Sequence, residues 1–407
     1  MLLAFLPAQQ EQTTKPLLLF LFRSSTRRYP VSSKMCVLLL IFLVAALAGF
    51  CDALSPHKPA HVGRLVADDL PRFSHHGLFS RNDTNSSKTS GTYKLSDLYD
   101  YTNFFDKFNF VESRTGTDQY SDVDPTHGFV LYQNRSEAER MGLAQVVDGS
   151  VAIMADYKTV IDDPRGYGRK SVRIESTARY NHSLVIADFW HLPKAQCGTW
   201  PAYWTYGPHW PESGEMDIYE QWNDYQFNRQ TLHTDHNVST GNCTFDMGST
   251  LGFHAFDMAN SKITETCDVY ASDNSGCTSW DYEGPYGSRE GGVYAMEWTS
   301  DYIRMWTWHP DDVPLDVQEG APDPEGWGLP GLSVGGSLCD VDRAFKNQAI
   351  VLNIDFCGDT AGSANEWTQS CAEKTGYNIC ARYVAAEPGD FEESWFGVRT
   401  IKVYTLH

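Results

Sequence analysis

The chain has 407 residues, 42% of them hydrophobic, so it can form a large buried core in one or two domains. Its formal net charge of −20 repels nucleic acid phosphates and anionic membranes, which argues against partners of these two classes. A neutral polymer such as a polysaccharide is compatible with that charge, although acidity also confers solubility on its own.

The N-terminus carries a targeting pattern. Residues 36–50 form an apolar run that follows basic residues and precedes small ones, with Cys51 and Ala53 at the −3 and −1 positions of a cleavage site. The run is shorter than the roughly 20 residues that a membrane-spanning helix needs, although a signal anchor remains the alternative. We therefore predict a signal region over 1–53, with Met35 as a candidate true start, and a secreted, extracellular or cell-wall-associated protein.

Removal of residues 1–53 takes away two of the ten cysteines and leaves eight, an even number that favours disulfides in a secreted protein. Sequence alone does not choose among the pairings, but the short loops favour Cys267–Cys277 and Cys371–Cys380. No C-x-x-C pair supports a zinc site. N-glycosylation is expected among six Asn-x-Ser/Thr sequons, which start at Asn82, Asn85, Asn134, Asn181, Asn237 and Asn242.

Residues 54–91 are rich in polar residues without periodicity and are predicted to be a flexible linker, and residues 92–407 form the globular domain. That domain contains many short apolar segments, often alternating in period two, between Gly, Pro, Asn and Asp. Helical periodicity is scarce, with one short helix expected over Ser136–Gly142. This pattern predicts an all-β fold, a jelly-roll sandwich of two curved antiparallel sheets.

The predicted strands are 128–133, 150–155, 170–175, 184–189, 215–221, 230–234, 292–298, 302–308, 349–356 and 397–404. No apolar tail follows the last of them, so neither a GPI anchor nor another stable membrane anchor is expected.

One predicted strand carries three acids within six residues: Glu215, Asp217 and Glu220. Alternation places Glu215 and Asp217 on one face of the strand and Met216 and Ile218 on the other, so the acids can face a cleft while the apolar side chains enter the core. Carboxylates packed this closely raise at least one pKa, as a general acid requires. The competing interpretation is an exposed acidic strand that forms ion pairs.

The spacing within this strand poses a geometric problem. Glu215 and Glu220 are separated by an odd number of residues, which in a regular strand places them on opposite faces. Both can face the same side only if the strand contains one extra residue. We therefore predict a β-bulge near Ile218–Tyr219.

The acidic segment resembles the E-x-D-x-x-E signature of glycoside hydrolase family 16, in particular the laminarinase-like fungal endo-1,3(4)-β-glucanases. Further segments resemble fungal members in order and spacing, so that the resemblance covers residues 92–407: 104–106, 168–173, 197–204, 232–234, 292–298 and 356–359. The sequence departs from the family at Tyr219, where a second Ile is usual, and at 221–222, where Gly-Val is usual.

The resemblance implies a retaining endo-β-glucanase that hydrolyses β-1,3-glucans, mixed β-1,3/1,4-glucans or both by double displacement, without a cofactor. Glu215 would be the nucleophile and Glu220 the general acid/base, with Asp217 hydrogen-bonded between them. A structural Ca²⁺, not required for the chemistry, has Asp355 and Asp359 as candidate ligands.

Six further residues are predicted to bind substrate. Trp side chains offer large flat faces for sugar rings, although Trp residues are also often buried in the hydrophobic core. His233 is implied to contact the nucleophile or the sugar, a structural histidine being its alternative, and an ordinary ion pair is the alternative for the arginine. The predicted set is Trp200, Trp204, Trp210, His233, Trp298 and Arg173.

Two other functions remain open. A cell-wall glucan transglycosylase would use the same covalent intermediate, although such enzymes commonly carry the shorter E-x-D-x-E spacing. A catalytically silent glucan-binding protein on the same scaffold would have lost the carboxylates, whereas Glu215 and Glu220 are both present. In each case the partner is a β-glucan, and a monomer is the default expectation.

Overall fold

A computed structural model describes residues 91–113, 124–245, 253–254, 256–257, 262–263 and 266–407. The predicted signal region and the linker up to residue 90 lie outside the described residues. Within the described ranges, no helix is long and apolar enough to cross a membrane.

The strands of the described residues are β1 Tyr93–Asp100, β2 Phe108–Phe110, β3 Val130–Tyr132, β4 Ala144–Val147, β5 Ser150–Met154, β6 Arg169–Ser171, β7 Arg173–Ser176, β8 Leu184–His191, β9 Thr199–Tyr206, β10 Glu215–Glu220, β11 Asn228–His233, β12 Cys243–Phe245, β13 Phe253–His254, β14 Phe256–Asp257, β15 Lys262–Ile263, β16 Cys277–Asp281, β17 Gly292–Trp298, β18 Tyr302–Trp308, β19 Leu332–Cys339, β20 Ala349–Phe356 and β21 Trp395–Leu406.

Two large antiparallel sheets organise the described part of the chain, which confirms the all-β jelly-roll prediction. The nine-stranded sheet has the order β12-β19-β18-β17-β8-β21-β5-β4, with β1 also paired to β21. The eight-stranded sheet has the order β13-β16-β11-β10-β9-β20-β7-β2. Two small pairs, β14 with β15 and β3 with β6, lie apart from these sheets.

The core lies between the two sheets because alternate residues of their strands are apolar. On β20, Ile350, Leu352 and Ile354 are fully buried in the main hydrophobic cluster, and on β8 so are Ala187 and Phe189. Burying a side chain as large as Ile, Leu or Phe contributes about 1.5–3 kcal/mol. The other face of the eight-stranded sheet does not contribute to the core between the sheets, and we call it the polar face.

Short helices connect the strands: α1 Arg135–Met141, α2 Asn237–Thr240, α3 Leu315–Glu319, α4 Val341–Ala344, α5 Gly358–Ala361, α6 Ala364–Ser370, α7 Ala372–Thr375 and α8 Cys380–Ala386. The helix expected over Ser136–Gly142 is confirmed as α1, because Asn134 caps its N-terminus and Gly142 ends it in the left-handed conformation. The helices α2–α8 were not predicted, since their sequences show no clear helical period.

Four disulfides join the eight cysteines: Cys197–Cys371, Cys243–Cys339, Cys267–Cys277 and Cys357–Cys380. The predicted pair Cys267–Cys277 is confirmed, and the predicted pair Cys371–Cys380 is wrong. Each of those two cysteines instead meets a cysteine next to a strand of the eight-stranded sheet, Cys197 before β9 and Cys357 after β20. The pairing therefore fastens the helical segment α6–α8 to the sheet.

Gly214 sets the start of β10. Its φ is +71°, and a Cβ there would lie 2.4 Å from Cδ1 of Phe345 and 2.7 Å from the carbonyl oxygen of Ala344. A side chain at this position would therefore suffer both backbone strain and collision.

We expect Gly214→Ala to lower the free energy of unfolding more than Gly142→Ala, as measured by urea titration. Gly142 has the same φ of +71° but open space around its Cβ direction, so it isolates the backbone cost of about 1–2 kcal/mol. The collision at Gly214 adds about 1–3 kcal/mol. Equal losses in the two variants would show that Ala344 and Phe345 do not confine this residue.

Candidate active site

The predicted β-bulge is present and brings the two glutamates to one face. Along the pairing with β9, Asp217 lies opposite Trp204, but Tyr219 lies opposite Tyr203, so Ile218 is the extra residue. Ile218 and Tyr219 both enter the core and are fully buried. Glu220 therefore returns to the polar face, on the same side of the sheet as Glu215 and Asp217.

The acids form a compact group with a histidine from the neighbouring strand. His233 lies opposite Glu215 in the pairing of β10 with β11. Its Nε2 lies 3.3 Å from Oδ2 of Asp217. Asp217 and His233 are only 4% and 7% exposed. The predicted position of His233 beside the acids is thus what the structure shows, whereas its contact with substrate stays a prediction.

Two of the predicted tryptophans hold the glutamates. Trp200 donates a hydrogen bond from Nε1 to Oε1 of Glu220 at 2.8 Å, and Trp210 donates one from Nε1 to Oε2 of Glu215. The Trp210 ring is 46% exposed, so a face remains available to a ligand. These N–H groups fix the orientation of both carboxyl groups.

Arg229 was not predicted, although it belongs to the site. Its Nη1 lies 3.5 Å from Oε2 of Glu220, an oxygen that has no hydrogen-bond partner among the described residues. Asn228, the preceding residue, accepts a hydrogen bond from the Glu220 backbone N–H at 3.1 Å. Strand alternation could have indicated this position from the sequence, because Arg229, Thr231 and His233 are two residues apart and therefore lie on the same face of β11.

Trp204 and Arg173 form a second group on the polar face. Trp204 lies on β9, next to the strand β10 that carries the acids, and Arg173 lies on β7, two strands further on. The Arg173 guanidinium lies 5.0 Å from the centre of the Trp204 ring and pairs with Glu175 at 2.8 Å. Trp204 donates a hydrogen bond from Nε1 to Oδ1 of Asn353 at 2.7 Å. Trp204 lies directly opposite Asp217, so the group adjoins the carboxylates.

The structure contradicts the prediction that Trp298 binds substrate. It lies on β17 in the nine-stranded sheet, is 1% exposed and belongs to the main hydrophobic core. It has no surface for a sugar ring to stack on, and its predicted contact with substrate is withdrawn. Alternation along β17 places Trp298 on the core-facing side with Met296 and Tyr294.

Burial and mutual repulsion keep protons on this group. Burial raises the pKa of Glu215 to about 8, and the nearby Asp217 adds to the shift. Burial, and then Glu220, raises the pKa of Asp217 well above its usual range. Burial lowers the pKa of His233, so the imidazole is neutral at pH 7. The carboxyl groups therefore cannot all be ionised at once.

Glu215, Asp217 and His233 also offer ligand atoms that all lie within 4.8 Å of one another, a spacing that could hold a metal ion. The carboxyl groups of the two candidate calcium ligands have different side-chain partners: buried Asp355 accepts a hydrogen bond from the Thr126 hydroxyl group, whereas Asp359 pairs with His127. Calcium at those two residues stays a prediction.

A family model described as "XgeA-like, catalytic GH16 domain" matches residues 118–404. The chain belongs to glycoside hydrolase family 16. Among curated relatives, a probable endo-1,3(4)-β-glucanase of Aspergillus flavus is 38% identical over 293 residues, which are 70% of this chain and 42% of that protein. An endo-1,3(4)-β-glucanase of Arthroderma benhamiae is 36% identical over 294 residues, 70% of this chain and 61% of that protein. The chain thus spans about half the length of these relatives.

Solved family 16 structures agree with the fold. An elongating β-1,3-glucosyltransferase of family 16 is 35% identical with a TM-score of 0.67, covering 77% of this chain and 100% of that one. Laminarinase 16A from Phanerochaete chrysosporium, with β-glucans in both donor and acceptor sites, is 30% identical with a TM-score of 0.66 and the same coverage. The similarity thus includes both a hydrolase and a transferase.

We expect Glu215→Gln to stabilise the protein increasingly as the pH rises. The pKa of Glu215 in the folded state, about 8, lies above the ordinary value of 4.5. The folded protein therefore holds a proton that the unfolded chain has lost, and its free energy of unfolding falls as the pH rises between about 4.5 and 8. The neutral amide removes that loss, which amounts to at most about 1.4 kcal/mol per pH unit.

The measurement is urea unfolding of both proteins at several pH values from 5 to 8. Glu373→Gln, at an exposed position on α7, is the matched control for the loss of one carboxylate. A difference between Glu215→Gln and the parent that stays constant with pH would contradict the raised pKa.

Proposed function

We propose that the chain is a retaining endo-β-glucanase that hydrolyses β-1,3 linkages, and mixed β-1,3/1,4-glucans, outside the cell. The observation that carries the proposal is the bulge at Ile218, which turns Glu215 and Glu220 to one face of one strand. Glycosidases need two carboxyl groups on one glycosidic bond, and the pair from a single strand is suited to the short separation of a retaining mechanism. The names of the fungal relatives support β-glucan as the substrate.

In the first step, the Glu215 carboxylate attacks the anomeric carbon while the Glu220 carboxylic acid gives its proton to the leaving oxygen. The C1–O bond of the glycan breaks and an ester between C1 and Glu215 forms. Glu215 must be ionised to attack, and Asp217 can hold the proton because its own pKa is raised. The Trp210 N–H orients the attacking carboxylate.

In the second step, Glu220 acts as a base. It takes a proton from a water molecule, whose oxygen attacks C1 as the ester to Glu215 breaks. The Trp200 N–H fixes one Glu220 oxygen and leaves the other without a hydrogen-bond partner among the described residues, near Arg229. That oxygen is suited to exchange the proton.

A second candidate function is transfer of the glycosyl group to a sugar in place of water. The specific observation is the 35% identity to an elongating β-1,3-glucosyltransferase over 77% of this chain. Transfer uses the same two glutamates and the same ester, so it differs only in what attacks the ester. The two activities can coexist in one active site.

An extracellular location is supported by the four disulfides, because such bonds persist in oxidising compartments. N-glycosylation remains part of this proposal. Asn242 is an exposed sequon residue, whereas the side chain of Asn181 is hydrogen-bonded to Asn347.

We expect the wild-type protein to release reducing ends from laminarin and Glu215→Ser to lose about 10³-fold or more of that rate, because the nucleophile is removed. Asp217→Asn should lose less, since it keeps the size and hydrogen-bonding capacity of the side chain. Glu373→Gln is the control, with circular dichroism to verify folding.

Near-normal turnover of Glu215→Ser would refute the nucleophile assignment. Binding of laminarin by wild-type protein without any release of reducing ends would instead favour a catalytically silent glucan-binding protein.

We also expect β-anomers as the first products, because two successive inversions at C1 retain the configuration of the substrate. Proton NMR of fresh laminarin digests, recorded before mutarotation, reports the anomer directly. An initial α-product would mean that water attacks in a single step, and the double-displacement mechanism would have to be abandoned.

A further inference from the structure

The sequon that starts at Asn242 lies at one end of the nine-stranded sheet, far in the topology from the catalytic strand. Asn242 directly precedes β12, the end strand of that sheet in the described part of the chain, and Thr244 completes the Asn-x-Thr sequence on β12. Gly241, with a φ of +80°, turns the chain into this position. The side chain of Asn242 is exposed.

A polar hollow of about 420 Å³ opens beside this asparagine, and we call it the edge hollow. Asn242 and Ser300 line one part of it, and the end of β19 with the following residue lines the rest through Gly336, Ser337, Cys339 and Asp340. Sites for drug-sized ligands occupy about 300–1,000 Å³, so the edge hollow is large enough for one sugar residue. Its hydroxyl and carboxylate groups can hydrogen-bond the hydroxyl and amide groups of an N-acetylhexosamine.

The other sequons with described side chains are less free to carry a glycan. Nδ2 of Asn134 donates a hydrogen bond to Oε1 of Glu112 at 2.7 Å, and Nδ2 of Asn181 donates one to Oδ1 of Asn347 at 2.8 Å. In both residues the nitrogen that would bear the glycan is already engaged. Asn242 makes no hydrogen bond to another described residue, so its nitrogen is the most available of the three.

The folded chain closes the same sequon from behind. Cys243, its middle residue, is fully buried, lies opposite Cys339 on β19 and is disulfide-bonded to it. A glycan must therefore be attached before β12 pairs with β19, because a transferase has to reach Asn242 and Thr244 together. The two cysteines are 96 residues apart. Synthesis at about 5–20 residues per second separates their appearance by roughly 5–20 s, which leaves time for the transfer.

We propose that Asn242 carries an N-linked glycan whose first N-acetylglucosamine lies in the edge hollow and covers the edge strand β12. This inference rests on the extracellular location within the proposed function. In the transfer, Nδ2 of Asn242 loses a proton and bonds to C1 of the sugar, while the bond from C1 to a lipid-linked pyrophosphate breaks and the lipid pyrophosphate leaves. The edge of a sheet can pair with another chain, and a bulky hydrophilic group at its first residue hinders that approach.

The test begins with two preparations secreted from yeast, one with the native N-terminus and one with a yeast signal peptide before residue 54. We expect peptide mass spectrometry to find Asn242 glycosylated. Endoglycosidase H removes all but the first N-acetylglucosamine, so the trimmed protein should keep the melting temperature of the intact glycoprotein.

Variants without the sequon should be less stable. We expect Asn242→Gln and Thr244→Ala to lower the melting temperature by about 2–4 °C, the shift that one lost hydrogen bond produces in a large domain. Thr244→Ser keeps the sequon and is the matched control. Ser337→Ala should lower the melting temperature of the glycosylated protein and leave that of Asn242→Gln unchanged, because Ser337 then has no sugar to contact.

An unmodified Asn242 in the secreted protein would overturn the inference. So would a trimmed protein as unstable as Asn242→Gln, because the first sugar would then contribute nothing, and so would an equal effect of Ser337→Ala with and without the glycan, because the sugar would then lie outside the edge hollow. If only the preparation with the yeast signal peptide is secreted, the proposed location of the native chain fails, and the state of Asn242 in that preparation still decides the inference.

Discussion

The catalytic group depends on one extra residue in one strand. Two carboxyl groups that act on the same bond must project from the same face, and β10 would separate them if its alternation were regular. Ile218 corrects the alternation, and it does so by entering the core, where its own burial holds the bulge in place. The burial of Ile218 on one face of the sheet therefore both contributes to the core and sets the positions of the carboxyl groups on the other face.

Electrostatics gives this group its chemical character. A cluster of buried acids beside a neutral histidine destabilises the fully ionised state, so protons stay bound near pH 7. The raised pKa values are those of Glu215 and Asp217, so Asp217 can keep a proton beside the nucleophile while Glu215 is ionised for attack. The indole N–H groups of Trp200 and Trp210 orient the carboxyl groups without adding charge, which leaves the balance between protonated and ionised forms to the acids themselves.

Sequence reasoning succeeded where the alternation of apolar residues or the odd or even spacing of two residues along a strand carries the information. The strands β17, β18 and β20 matched their predicted bounds, and the bulge followed from the odd spacing of the glutamates. It failed where spatial neighbours come from distant segments. The partner of Cys371 is 174 residues away, and neither loop length nor composition points to it.

The tryptophans show the same limit of prediction from sequence. The residue type is equally suited to a core and to a sugar-binding surface, so composition could not separate Trp298 from Trp210. The face of the strand decides, and that requires knowing which sheet the strand joins. Arg229 became visible only when β11 was placed beside β10.

The strand β21 has a consequence for how the chain acquires its fold. It pairs with β1, β5 and β8 in the nine-stranded sheet, so that Tyr93 is opposite Leu406. Contacts between residues this distant in sequence give a high contact order, which slows folding because long loops must close first. During synthesis, the centre of that sheet stays incomplete until residues 395–406 have left the ribosome, and the unpaired edges of β1, β5 and β8 are exposed until then.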